Sequence, residues 1–140
     1  MTIPLASELV IQFNKLQTRF VKRIDAQLSV HGISYTEYMV MYYLNGAEND
    51  SLRRVELAEF VGLSASGITR MLMPMQKMGL VQKDSSHRDA RVSLVKLTLA
   101  GKSIFNDAQK SFNHTTAALT RSMTDKQQQK FLALTQQLFS

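Results

Sequence analysis

The sequence contains no cysteine. That removes disulfide frameworks, thiolate metal sites, cysteine nucleophiles and oxidation-sensing thiols in one step. Histidine is scarce as well: His31, His87 and His114 stand far apart, never at the spacing that sets two imidazoles on one helix face. Metal binding is therefore poorly supplied, and no metal or cofactor is expected. No apolar run reaches the roughly eighteen residues that mark a membrane span. The first residues, MTIPLASELVIQF, lack a basic leader, and Glu8 interrupts what a signal core would keep apolar. A cytoplasmic protein with no membrane partner is expected. Catalytic constellations are missing too. There is no glycine-rich phosphate loop and no serine–histidine–acid order, so an enzyme is not expected.

What is present suits one domain over residues 1–140. Hydrophobic residues make up 44% and charged residues 20%, ordinary values for a globular chain. The formal net charge is +6, which biases a small protein toward polyanions. Its distribution says more than its total. Residues 80–102 hold five Lys or Arg against two acids, whereas residues 31–50 hold none against three.

Leu5, Leu9, Phe13, Leu16, Phe20, Ile24 and Leu28 recur in steps of three and four, the mark of one long amphipathic helix from Leu5 to about Val30. Pro4 suits its first turn and Gly32 its exit. Ser34 and Glu37 form a capping box for a second, largely buried helix rich in Tyr and Met, which ends at Asn45 and Gly46. Residues 49–51, NDS, read as a loop. Two shorter helices follow, Arg54 to Val61 and Ala65 to Met78, with Gly62 breaking the first, Ser64 capping the second and Gly79 closing it. Leu80–Asp84 and Val92–Thr98 read as two strands around a polar tip, with Ser93, Val95 and Leu97 sharing a face. These are the only strands expected. A helix through Ile104, Ala108 and Phe112 comes next, then a last helix opened by Thr124 and Asp125. The fold class is mainly α with a small β-hairpin (α+β).

In VELAEFVGLSASGITRML, Ala58, Gly62 and Ile68 have a joint logic. A small residue lets one helix cross another closely, a glycine permits a left-handed turn, and an isoleucine plugs the corner between them. The second helix then presents Ser66, Gly67, Thr69, Arg70, Met73 and Lys77 outward, short or cationic side chains suited to bases and phosphates. By itself this is also compatible with an ordinary helical hairpin. The hairpin that follows directly, with a basic tip, turns the pair into a winged helix-turn-helix. Ser85, Ser86, His87, Arg88 and Arg91 are the polar groups at that tip, and arginine is favoured in a narrow minor groove. His87 stays open between a phosphate contact, a pH-sensitive contact and a plain loop residue. Pro74 lies inside the second helix, where its missing N–H should bend it. Met71, Met73, Met75 and Met78 around it read as adaptable packing.

Over essentially its whole length the chain resembles the MarR family of bacterial transcription regulators. The pieces that carry the resemblance are VELAEFVGLSASGITRMLMPMQKMGLVQKD and DARVSLVKLT. The second fits the family's wing signature of Asp, any residue, Arg, five residues, then Leu-Thr, here Asp89, Arg91, Leu97 and Thr98. The resemblance implies a homodimer that binds a pseudo-palindromic duplex and regulates transcription, in most cases as a repressor, and so sits with the nucleoid. Residues 33–100 would be the DNA-binding part, and residues 1–32 and 101–140 the dimerisation helices. Leu5, Leu9, Phe131, Leu134, Leu138 and Phe139 are the expected dimer contacts. DNA contacts would come from Ser64, Ser66, Gly67, Thr69, Arg70 and Lys77, with Ser86, His87, Arg88 and Arg91 on the wing. Asp89 is read as structural, since an exposed acid would repel phosphate.

The resemblance also implies a small aromatic or anionic effector that releases DNA. Phe13, Leu16, Arg19, Phe20, His31, Tyr38, Met39 and Tyr42 are the candidate lining, although all except Arg19 serve equally well as core. The competing class is a winged-helix module that presents its basic face to a protein, without specific DNA binding.

Overall fold

Ser34, Ser64, Thr98 and Thr124 each accept a hydrogen bond from the backbone N–H three residues on, so four helices begin on a hydroxyl cap. Such caps satisfy amides that a helix end otherwise leaves without partners. The computed structural model describes residues 2–84 and 93–139. Its helices are α1 (Leu5–Leu28), α2 (Tyr35–Asn45), α3 (Arg54–Val61), α4 (Ala65–Lys77), α5 (Leu99–Leu119) and α6 (Asp125–Gln137). Its strands are β1 (Ser51–Arg53), β2 (Val81–Asp84) and β3 (Leu94–Leu97).

The helix boundaries follow local chemistry closely. Pro4 sits one residue before α1 as its extended N-cap, not within the first turn. The first helix stops at Leu28, and a 3₁₀ turn over Ser29–His31 carries the chain to Gly32 at φ 75°. The Ser34–Glu37 capping box is present at both of its bonds. Gly62 adopts φ 73°, which lets the chain reverse between α3 and α4. α4 runs as one helix past Pro74 to Lys77. Leu80 belongs to the helix exit, not to the strand: its N–H donates to Met75 O across Gly79.

The expectation of two strands is corrected to three. β3 lies in the centre, antiparallel to both β1 and β2, with Leu52 opposite Val95 and Lys83 opposite Val95 from the other side. Ser51, assigned above to a loop, starts β1. Val95 and Leu97 are buried on one face of β3, as the alternation requires. Around them lies a core of Leu28, Tyr38, Met41, Leu44, Leu57, Ile68, Leu72, Met75 and Phe105. Tyr38 is stacked on both Phe105 and Phe112, with centroids 5.2 and 4.7 Å away, which fastens α2 to α5. α2 is largely buried as expected, with Tyr42 its one exposed residue.

The terminal helices are different. α1 buries only Ile24 and Leu28, both in its last two turns. α6 buries none of its residues. A tilted ring contact between Phe13 and Phe131, centroids 6.1 Å apart, joins them.

Candidate nucleic-acid interface

α4 has two chemically distinct faces. Ile68, Leu72 and Met75, at steps of four and three, are buried against α3 and the sheet. Ser66, Thr69, Arg70, Met73 and Lys77 are exposed, and Gly67 is partly so. The cap that opens the helix also shapes its outer surface. Ser64 Oγ accepts from Gly67 N at 3.0 Å and lies 3.2 Å from Ser66 Oγ. A Cβ at Gly67 would come within 3.1 Å of that same Ser64 oxygen, so the glycine keeps the cap and leaves the first turn thin. Free N–H groups and small side chains at a helix N-terminus are what a close-approaching phosphate or base edge requires.

α3 braces this helix. Ala58 is buried at the crossing and Ile68 fills the corner, as their spacing predicts. At the start of α3, Glu56 accepts from the Arg53 backbone N–H at 3.1 Å and from Arg53 Nε at 3.2 Å. These bonds, the backbone one foremost, hold the Glu56 carboxyl below the usual range. Arg54 Nη1 donates to Thr69 Oγ1 at 3.2 Å, and the Arg54 N–H donates to Ser93 O at 3.2 Å. Sequence reasoning missed both arginines, because neither bond is visible in periodicity.

Thr98 ties the start of α5 to the exit of α4 beside the sheet. Thr98 Oγ1 caps α5 and also donates toward Gly79 O and Leu80 O, at 2.5 and 3.1 Å. Ser51 Oγ donates to Asp84 Oδ2 at 2.8 Å, and Lys102 pairs with Asp50 at 3.0 Å, which closes the other edge. Ser86, His87, Arg88, Asp89 and Arg91 fall outside the described residues, so the expectations placed on them rest on sequence. Lys83 and Lys96 add positive charge to β2 and β3, on opposite faces of the sheet.

The residues considered for an effector are dispersed. Tyr38 lies in the aromatic stack, and burial pushes its hydroxyl up to about 12, with Tyr42 and Tyr35 adding to the effect. His31 Nε2 lies 2.8 Å from Ser111 Oγ, which links the end of α1 to α5. Met39 lines a cleft of about 230 Å³ with Gln17, Val21, Tyr35, Tyr43 and Phe60. Tyr42 lines a separate one on the other side of Tyr43. Phe13, Leu16 and Phe20 are half-buried along α1, and Arg19 is exposed. No group of three or more His, Asp or Glu that could hold a metal occurs among the described residues. Among the described residues no helix is long and apolar enough to cross a membrane.

The family described as Transcriptional regulator SarA/Rot matches residues 21–108. The HTH-type transcriptional regulator PrsX of Escherichia coli is 31% identical over 97 residues, covering 69% of this chain but only 57% of that relative's length. The transcriptional repressor MprA of E. coli K12 is 22% identical over 125 residues, 89% of this chain and 71% of MprA. Among solved structures, a MarR variant from E. coli complexed with operator DNA superposes with TM-score 0.84 at 20% identity, covering 99% of this chain and all of that one. A MarR family regulator from Streptomyces coelicolor in complex with DNA gives TM-score 0.85 at 18% identity, covering 99% and 88%. At these identities the structural likeness concerns the fold.

Proposed function

We propose that the chain, which belongs to the family described as Transcriptional regulator SarA/Rot, is a homodimeric, sequence-specific double-stranded DNA-binding protein of the MarR type. The observation that carries the proposal is the two-sided α4. Its buried Ile68–Leu72–Met75 stripe fixes its orientation, and its exposed Ser66, Thr69 and Arg70 stand ready for a major groove. Ser64, Gly67 and Lys77 would bind the phosphates that flank those bases. Residues 33–100 would form the DNA-binding part and residues 1–32 and 101–140 the dimerisation part.

On the wing, Arg88 and Arg91, with Ser86 and His87 beside them, would meet the flanking backbone or minor groove, while Asp89 would hold the wing together. Arg91→Ala should then weaken binding and make its salt dependence shallower by about one phosphate contact. Leu5, Leu9, Phe131, Leu134, Leu138 and Phe139 would pack across the two-fold axis; within one chain Leu5 is 81% and Phe139 88% exposed. Repression of transcription, relieved by a small aromatic or anionic effector seated between the dimer helices and the winged helix, completes the reading.

The test is selection of bound sequences from a random duplex pool. Two-fold related half-sites about one helical turn apart are expected. Retention of no preferred sequence, together with salt-insensitive binding, would instead favour a winged helix used for protein contacts.

A further inference from the structure

We propose that Arg54 is a specificity-determining positioning residue that acts through Thr69, fixing the Thr69 hydroxyl as a hydrogen-bond donor toward DNA. The inference rests on the DNA-binding reading above and deepens it.

A threonine hydroxyl has one hydrogen to give and two lone pairs to receive with. In helices it commonly gives that hydrogen to a carbonyl of its own preceding turn. Thr18, Thr115, Thr116 and Thr120 all do so here, toward Asn14 O, Ser111 O, Asn113 O and Thr116 O. Thr69 is different. Its oxygen receives Arg54 Nη1 at 3.2 Å, and none of the described hydrogen bonds uses its hydrogen. One of its two lone pairs is taken by the guanidinium while its hydrogen stays free, so on the exposed face of α4 the hydroxyl is biased toward donating. A donor at this place selects acceptors: guanine N7 and O6, adenine N7 or thymine O4. The adjacent guanidinium charge and the occupied lone pair disfavour a further donor, so the exocyclic amino groups of cytosine and adenine are selected against.

The arginine itself is held firmly enough to act this way. Its backbone N–H is bound to Ser93 O, directly before β3, so it is anchored to the sheet as well as to α3. Arg54 Nε is buried and has no hydrogen-bond partner among the described residues. The guanidinium makes no ion pair among the described residues either. Its charge is therefore left to polarise the Thr69 hydroxyl, and it adds positive potential at the edge of the surface that would meet phosphates. Arg54, Thr69 and Ser93 line one groove between α3, α4 and the start of β3.

The experiment is a double-mutant cycle on the full chain, read by fluorescence anisotropy on the selected duplex and on duplexes changed at each half-site position. Arg54→Met keeps the aliphatic stem and removes the donors; Thr69→Val keeps the shape and removes the hydroxyl. Arg54→Met should lower discrimination at one half-site position by about tenfold. In the Thr69→Val background the same change should cost that position little further, and in the Thr69→Ser background, which restores the hydroxyl, the tenfold loss should return. A purely structural role for Arg54 would lower affinity for every duplex alike and leave base preference unmoved. Equal, additive losses in the Thr69→Val background, or unchanged preference in Arg54→Met, would overturn the inference while leaving the DNA-binding reading intact. A wild-type chain that prefers no duplex would overturn both.

Discussion

A side chain at Gly101 would drive its Cβ into the Leu80 carbonyl and to within 2.8 Å of Leu97 Cδ1. Neither neighbour can retreat: Leu80 O accepts from Thr98 N at 3.1 Å, and Leu97 is buried in the sheet. Gly101→Ala should therefore destabilise the fold by roughly 1–3 kcal/mol, the usual cost of overpacking. A lower urea midpoint at unchanged m would register it. Ser64→Ala removes the cap of α4 and should cost about 1 kcal/mol by the same measurement. Arg70 is a different kind of residue. It is exposed, and on the proposed reading its truncation should leave stability alone while weakening specific DNA binding by roughly 1–3 kcal/mol and relaxing one base preference. Thr69 and Arg70 are adjacent and both face outward, yet Arg54 reaches only the first. Their variants should alter different half-site positions.

Among elements, α2 is the strut between the helix-turn-helix half and the long helices. Its stack of Tyr38 on Phe105 and Phe112 keeps a phenol away from water, and burial raises the Tyr38 hydroxyl from the ordinary 10.0 to about 12. Below pH 10 the group is protonated in both folded and unfolded chains and contributes no pH dependence. Between about 10 and 12 the unfolded chain loses this proton first, so the unfolded state binds fewer protons and stability falls as pH rises. Denaturation midpoints in that window should fall less steeply in Tyr38→Phe than in the wild type.

The elements that sequence analysis placed well are those bounded by local chemistry. Ser34 with Glu37, Ser64, Gly62, Gly79 and Thr124 act within three or four residues of themselves. β1 escaped because its information is not local: Ser51–Arg53 is too short to show alternation and is a strand only because Lys96, Val95 and Leu94 pair with it. The Arg54–Thr69 bond was hidden for the same reason, since fifteen residues separate its ends. The exposed face of α4, by contrast, was legible from helical spacing once Ile68 and Leu72 were set inward.

On the scale of the whole molecule, the distribution of burial is uneven. The core lies where α2–α5 and the sheet meet the end of α1, while the first turns of α1 and all of α6 leave large apolar side chains in water. Leu9, Phe131, Leu134 and Leu138 are each about half or more exposed, which is costly for a lone chain and ordinary for half of an interface. A Phe131→Glu, Leu134→Glu double variant should place like charges across the proposed two-fold axis. Light scattering should then report a monomer near 15.8 kDa where the wild type reports twice that mass. An unchanged mass would reject this surface as the dimer contact. The two α4 helices of a dimer would be fixed relative to one another, so monomerisation should also abolish the preference for half-site spacing.

The most direct measurement is the binding of wild type and Arg70→Ala to the duplex selected from a random pool, titrated with salt alongside a scrambled duplex of equal length. Wild type should bind the selected duplex at least about a thousandfold more tightly than the scrambled one, the lower end of the scale of specific over non-specific recognition. Arg70→Ala should lose about tenfold or more of that ratio with little change on the scrambled duplex. Equal affinity of the wild type for both duplexes, or an unchanged ratio in Arg70→Ala, would contradict the account of α4 as the element that reads DNA.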